Sequence, residues 1–257
     1  MRAQNLPVAA GWNWILAGIA LYRRSPTALA MLVVLYWFIV LFLNVLPLLG
    51  PLLASMAIPA LSVGLMQAAR HAERGLAIAP AVLFSALRES GRSLFALGAL
   101  YLCATLGALA VSALVDGGSL FQFMLADTKA ERAAFEDADF TLSAALVMLL
   151  LVPVVMAWWF APVLVAWHRL SLGKALFFSL IACAMNWRPF LAYGLGLIVV
   201  AGIAPALVLG LLLAVIPAAG TFLVGLAVLP LALVVAPAVF ASFYACYRDI
   251  FGISEIV

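Results

Sequence analysis

Six stretches of this chain, each long enough to cross a bilayer, contain almost no Asp, Glu, Lys, Arg or His. They run 27–46, 52–69, 93–115, 142–167, 190–216 and 221–247, against the roughly 20 mostly apolar residues that a spanning helix needs. Lipid offers no partner to a backbone N–H or C=O, so a spanning segment is either a helix or a strand of a closed barrel. The long apolar runs lack the two-residue alternation of a membrane barrel. With 68% of residues hydrophobic and 9% charged, where soluble domains carry about 45–50% and about 25%, the prediction is an all-α polytopic membrane protein. It forms a single integral membrane domain over 1–257.

Orientation follows from the cations. One face collects Arg2, Arg23, Arg24, Arg70, Arg74, Arg88, Arg92, Arg169, Lys174, Arg188 and Arg248 against Glu73, Glu89, Asp249 and Glu255, a net +7. The other carries a loop over 116–140 with six acids, Lys129 and Arg132, a net −4. Lys and Arg accumulate in cytoplasmic loops, which predicts both termini in the cytoplasm of a bacterial inner membrane and the acidic loop outside. The apolar run from Val8 to Tyr22 precedes Arg23 and Arg24 instead of following a basic region, which is the wrong order for a secretory signal peptide.

A shorter apolar segment ending in Arg precedes each pair of spans, at 12–24, 80–92 and 171–188. In the first, Trp12, Ile15, Leu16, Ile19 and Tyr22 recur at helical spacing, the pattern of a helix lying in the membrane interface. The second opens on Pro80, a favoured first helical residue. The third ends before Pro189, where a helix is expected to break. The second span of each pair carries an interior proline, Pro59, Pro162 or Pro237, and Arg70 and Arg248 each follow their proline by eleven residues. The expectation is three cytoplasmic interfacial helices and a three-copy parallel repeat over about 8–75, 76–170 and 171–252. Two spans per copy keep the copies parallel, around a pseudo-threefold axis along the membrane normal.

The run Leu48-Leu49-Gly50-Pro51-Leu52-Leu53, the run from Pro59 to Met66, Gly75 and the opening Gly11-Trp12-Asn13-Trp14 resemble an uncharacterised family of six-span inner-membrane proteins of β-proteobacteria. In layout alone the chain is similar to the membrane domain fused to some bacterial glycerophosphodiester phosphodiesterases. That enzyme chemistry sits in a separate soluble barrel with clustered His, Glu and Asp. This chain has two His in all, so the resemblance implies a fold and no activity.

Chemistry inside the membrane is sparse. Ionisable residues at bilayer depth mark proton relays and coupling-ion sites, but the polar residues within the spans are neutral. Asn44, Ser62 and Gln67 are candidates for a cavity wall or for bonds between helices. Trp158 and Trp159 stand between Pro153 and Pro162 in the fourth span, where two prolines interrupt the helix and could open a cavity. His71 and His168 lack the neighbouring carboxylates or thiols of a zinc site. No catalytic constellation, metal site or cofactor is expected, and Cys103, Cys183 and Cys246, odd in number and set in apolar helices, are expected as packing residues.

Arg23, Arg24, Arg88, Arg92, Lys174 and Arg188 are candidates for contact with anionic lipid headgroups, at roughly 1 kcal/mol per cation near the surface. Membrane lipids are expected partners. A protein partner could dock on the lipid-facing helices or the acidic loop, and no nucleic acid is expected. The favoured reading is a non-catalytic accessory, assembly or scaffold component of a membrane complex. The alternative is a transporter or lipid-handling protein with a pathway between the copies. A lipid-sized hollow on the axis would favour the alternative.

Overall fold

The computed structural model describes residues 3–47, 49–116, 138–215 and 220–252. Six helices are long and apolar enough to cross a membrane, at Pro26–Asn44, Gly50–Glu73, Pro80–Leu114, Thr141–His168, Trp187–Val215 and Gly225–Phe251. Each overlaps one of the six apolar stretches of the sequence. Of the acidic loop, 116 ends a helix and 138–140 begin another, while 117–137, with the capping helix that Thr128 and Glu131 suggest, lie outside the described residues.

Helix α1, Ala9–Arg24, stops at Ser25 (φ −148°, ψ 62°), and α2, Pro26–Asn44, starts on a proline. Proline suits that place because its missing N–H would be unpaired there anyway. A tight turn leads into α3, Gly50–Glu73, which contains Pro59 and ends on Gly75 with φ +67°. Only that left-handed conformation lets the Leu76 N–H turn back to the His71 carbonyl at 2.9 Å, and glycine adopts it without a Cβ clash.

The segment 80–92 is not a uniform helix. A 3₁₀ turn, Pro80–Phe84, leads into α4, Ser85–Asp116, which is kinked where Ser90 leaves the helical region (φ −138°, ψ 22°). Helix α5, Ala138–Trp159, breaks at Phe160 before α6, Ala161–His168. Pro162 alone would remove one rung of the ladder, but the break is completed from outside. In α7, Leu172–Met185, the Ser179 hydroxyl accepts the Phe160 N–H at 2.9 Å and donates to the Met156 carbonyl at 2.8 Å, spliced between two groups that would bond each other in a straight helix.

Helix α8, Trp187–Leu197, follows a further break at Asn186 and continues through a π-helical turn, Ile198–Ile203, into α9, Ala204–Val215. Pro205 lies just past the wide turn and cannot donate to a carbonyl behind it, a common setting for such a turn. Helix α10, Gly220–Phe251, holds Pro230 and Pro237 and closes the chain. The Gln4 N–H donates to the Ile250 carbonyl at 2.8 Å, so the two ends of the described chain meet on one face.

The short elements pack on the longer helices. Helix α1 lies on α8 and α10, the Pro80–Phe84 turn on α3, and α7 on α5 and α6. The face α1 buries differs from the one its apolar pattern suggests. Gly11, Trp14, Ile15, Gly18 and Leu21 are buried, while Trp12 and Leu16 are 44% and 48% exposed. The glycines decide this, because a Cβ at Gly11 would strike the Pro189 carbonyl oxygen and the Tyr193 nitrogen, and one at Gly18 the Ala238 carbonyl oxygen and Ser242. Small residues that let backbones touch are the usual interface of membrane helices. Gly64 of α3 meets the backbone of Leu83 in the same way.

Candidate functional site

Where α3, α4, α5, α6 and α10 meet, the bundle forms a partly open cavity of about 270 Å³. Ser55, Ile58, Pro59, Ser62 and Met66 line it from α3, Tyr101 from α4, Trp158, Trp159, Phe160 and Pro162 from the α5–α6 break, and Phe243 from α10. The prolines make the room. Pro59 and Pro162 interrupt the two helices at the cavity wall, and beside the break at Phe160 Trp158 packs on Tyr101 of α4 while Trp159 packs on α8 and α10.

The wall carries few polar groups, and those with hydrogen bonds spend them on backbone. Ser62 donates to the Pro59 carbonyl at 2.9 Å, Ser55 to the Leu52 carbonyl at 2.8 Å, and the Trp158 indole N–H to the Leu97 carbonyl at 3.0 Å. Among the described residues, no charged side chain lines the cavity. Rings close it on one side: Trp159 packs edge-on against Phe190, Tyr193 and Phe243 with centroids 5.4 to 6.5 Å apart. Such a space receives an apolar chain and offers no group to a charged solute.

The ends of α3, α6 and α10 converge at the face where the termini meet, and there the few charges are organised. The Glu73 carboxylate accepts from the Arg248 guanidinium and, at 2.5 Å, from the Tyr244 hydroxyl. Arg248 also pairs with Asp249 at 2.8 Å. Arg24 of α1 donates to the Glu73 main-chain carbonyl at 2.7 Å. Arg70 lies over the Trp167 ring at 5.1 Å, and His168 Nε2 meets the Tyr247 hydroxyl at 2.6 Å. Cations at helix C-termini neutralise the negative ends of the helix dipoles. The cluster therefore ties three helix ends together.

Ser62, Trp158 and Trp159 come together on the cavity wall. Gln67 does not join them: its amide N–H donates to His71 Nε2 at 3.0 Å, which leaves the His71 Nδ1–H to donate to the Ala77 carbonyl at 3.2 Å. Asn44 bonds the Val40 carbonyl of its own helix at 2.8 Å from an exposed position and does not line the cavity. Arg23, Arg24, Arg88, Arg92, Lys174 and Arg188 are all exposed, the first two at the end of α1, the next two near the start of α4, and the last two at the starts of α7 and α8. Among the described residues, no group of three His, Cys, Asp or Glu could hold a metal ion.

Sequence reasoning missed Asn186. Fully buried, it accepts the Leu6 N–H at 3.0 Å and donates to the Gln4 carbonyl at 2.8 Å and the Ala182 carbonyl at 2.9 Å, which pins the N-terminal segment against the α7–α8 break. Its place between two apolar helices was the available signal, since a lone amide there must find partners. Cys183, one turn back, is buried, and that burial pushes its thiol up to about 12. It is not a reactive thiolate.

No family model matches the chain, and no solved structure matches it. It is 35% identical to a probable inner membrane protein of Burkholderia thailandensis over 265 residues, which cover 99% of this chain and 96% of that protein. The protein belongs to the same family of bacterial inner-membrane proteins as that Burkholderia thailandensis protein.

Proposed function

We propose that this protein is a non-catalytic lipid-handling component of the bacterial inner membrane, which holds a lipid acyl chain in the cavity among α3, α4, α5, α6 and α10. One observation carries the reading: the cavity is apolar, uncharged and walled by aromatic rings and proline-broken helices. Its volume lies near the lower end of small-molecule sites, roughly 300–1,000 Å³. A purely scaffolding subunit has no use for a hollow of this kind at its centre.

Three parallel copies, about 8–75, 76–170 and 171–252, form the body in this reading. The breaks at Ser25, Ser90 and Asn186, each between a short element and a span, support it. So does the cyclic packing, in which each short element rests on the spans of another copy. The short elements lie in the cytoplasmic interface with their exposed arginines toward headgroups, and both termini are cytoplasmic, an orientation the +7 against −4 asymmetry supports.

Native mass spectrometry of the protein, extracted gently from its own membrane, tests this. The wild type should retain phospholipid, and Met66→Trp, which fills the cavity, should lose one bound lipid while eluting as a folded species; Ile58→Phe provides a second filling variant. Unchanged lipid retention in both variants would overturn the proposal. A stoichiometric protein partner in place of lipid would return the reading to an accessory subunit.

A further inference from the structure

The wall of the central cavity holds one hydrogen-bond donor that the protein leaves unused. Ser55, Ser62 and Trp158 each donate to a main-chain carbonyl. Tyr101 also lines the cavity, and its hydroxyl makes no hydrogen bond among the described residues. Its neighbours fix where it stands. Gly98 lies one turn earlier on the same face of α4, where a Cβ would strike the Ser55 carbonyl oxygen and the Met56 backbone of α3. Trp158 of α5 packs edge-on against the Tyr101 ring, with centroids 5.8 Å apart. Tyr101 is therefore set between α3 and α5, at the cavity.

The ligand group that meets this hydroxyl must be uncharged. Tyr101 lies nine residues beyond Arg92, the last charged residue before it on α4, about 14 Å along the helix. On α3, α6 and α10 the lining residues nearest the charged ends are Met66, Pro162 and Phe243. They stand six to eight residues before Glu73, His168 and Phe251, about 9–12 Å. Among the described residues, no cation lines the cavity to receive a phosphate, and a charge without a partner at that depth is costly. A phospholipid can enter with the hydrocarbon of one chain, but its phosphate and ester groups stay near the surface.

The wall needs an acceptor for Tyr101 and offers acceptors of its own. Ser55 and Ser62 have spent their protons, but each hydroxyl oxygen keeps lone pairs. An uncharged lipid that carries both an ester carbonyl and a free hydroxyl matches these groups. Resting on the proposal that the cavity holds a lipid acyl chain, we infer that the lipid it selects is a diacylglycerol. One ester carbonyl accepts from the Tyr101 hydroxyl, and the glycerol hydroxyl donates to a serine of α3. Tyr101 is the residue that distinguishes an acyl ester from a plain hydrocarbon chain.

The test uses the full chain, delipidated in mild detergent, with bound lipid counted by native mass spectrometry. It is titrated with dioleoylglycerol, with the diether dioleylglycerol, which lacks both carbonyls, and with dioleoyl phosphatidylglycerol. The wild type should bind dioleoylglycerol about fivefold more tightly than the diether, the worth of one neutral hydrogen bond, and more tightly than phosphatidylglycerol. Tyr101→Phe should bind the diester and the diether equally. Its melting temperature without lipid should match the wild type, because the hydroxyl it removes has no partner in the protein. An ester preference that survives in Tyr101→Phe, or none in the wild type, would overturn the inference and leave the acyl-chain reading standing. Phosphatidylglycerol bound as tightly as dioleoylglycerol would do the same. Dioleoylglycerol retained by both Met66→Trp and Ile58→Phe would overturn that reading, and this inference with it.

Discussion

At the residue scale, the groups that matter most for stability are buried polar atoms with defined partners. Asn186 holds three such bonds, two of them to the N-terminal segment 180 or more residues away. Asn186→Ala leaves the Leu6 N–H and the Gln4 carbonyl without their partner, a penalty of about 1–3 kcal/mol. It should lower the melting temperature in detergent and expose the segment before α1 to protease. Trp14 is equally buried, but its indole nitrogen makes no hydrogen bond in the described structure, so its worth is in packing alone. Cys183 gives a pH signature. Its thiol titrates near 9.0 when unfolded and near 12 when folded, so above pH 9 the unfolded chain releases a proton that the folded chain keeps. Stability from this group is intact below pH 9 and falls as pH rises toward 12. The alkaline limb of a stability profile should flatten in Cys183→Ala.

At the element scale, the helices are joined by close backbone approach and by interruptions of their own ladders. Gly18 admits α10 against α1, and a side chain there would press on the Ala238 carbonyl and on Ser242. Gly18→Leu should cost about 1–3 kcal/mol through overpacking. Gly107→Leu adds a side chain where nothing lies within 4 Å and serves as the control, with melting temperatures compared in one detergent. Proline positions and helix ends were legible in the sequence: Pro26 starts α2 and Gly75 ends α3, because each imposes a backbone conformation locally. The buried face of α1 was not legible. Trp12 and Trp14 are equally apolar, and their contrast, 44% and 0% exposed, depends on distant helices, with Phe190 and Tyr193 of α8 packed on Trp14. Arg169 ends α6 in the left-handed conformation at φ 52°, where nothing in its own chemistry favours it.

At the scale of the whole molecule, six spans and their boundaries could be read directly, because a bilayer demands long uncharged helices and leaves the chain no other way to cross. The inner-membrane character follows from the same residues and is matched end to end in the Burkholderia thailandensis relative. The pairing of helices could not be read in the same way. In lipid, every apolar side chain is at home on the outside as well as the inside, so hydropathy does not say which face meets protein. Only the tertiary structure decided that Ser62, Trp158 and Trp159 share a cavity while Asn44 and Gln67 stay with their own helices. It alone brought Glu73 to Tyr244 and Arg248 across 171 and 175 residues, and opened an apolar trough along α10. The sequence by itself determined that the chain is a bundle of six membrane helices, through the cost of burying charge and unpaired backbone in hydrocarbon. Where that bundle is hollow and where it is closed depended on shape: which glycines let helices touch, and which prolines hold them apart.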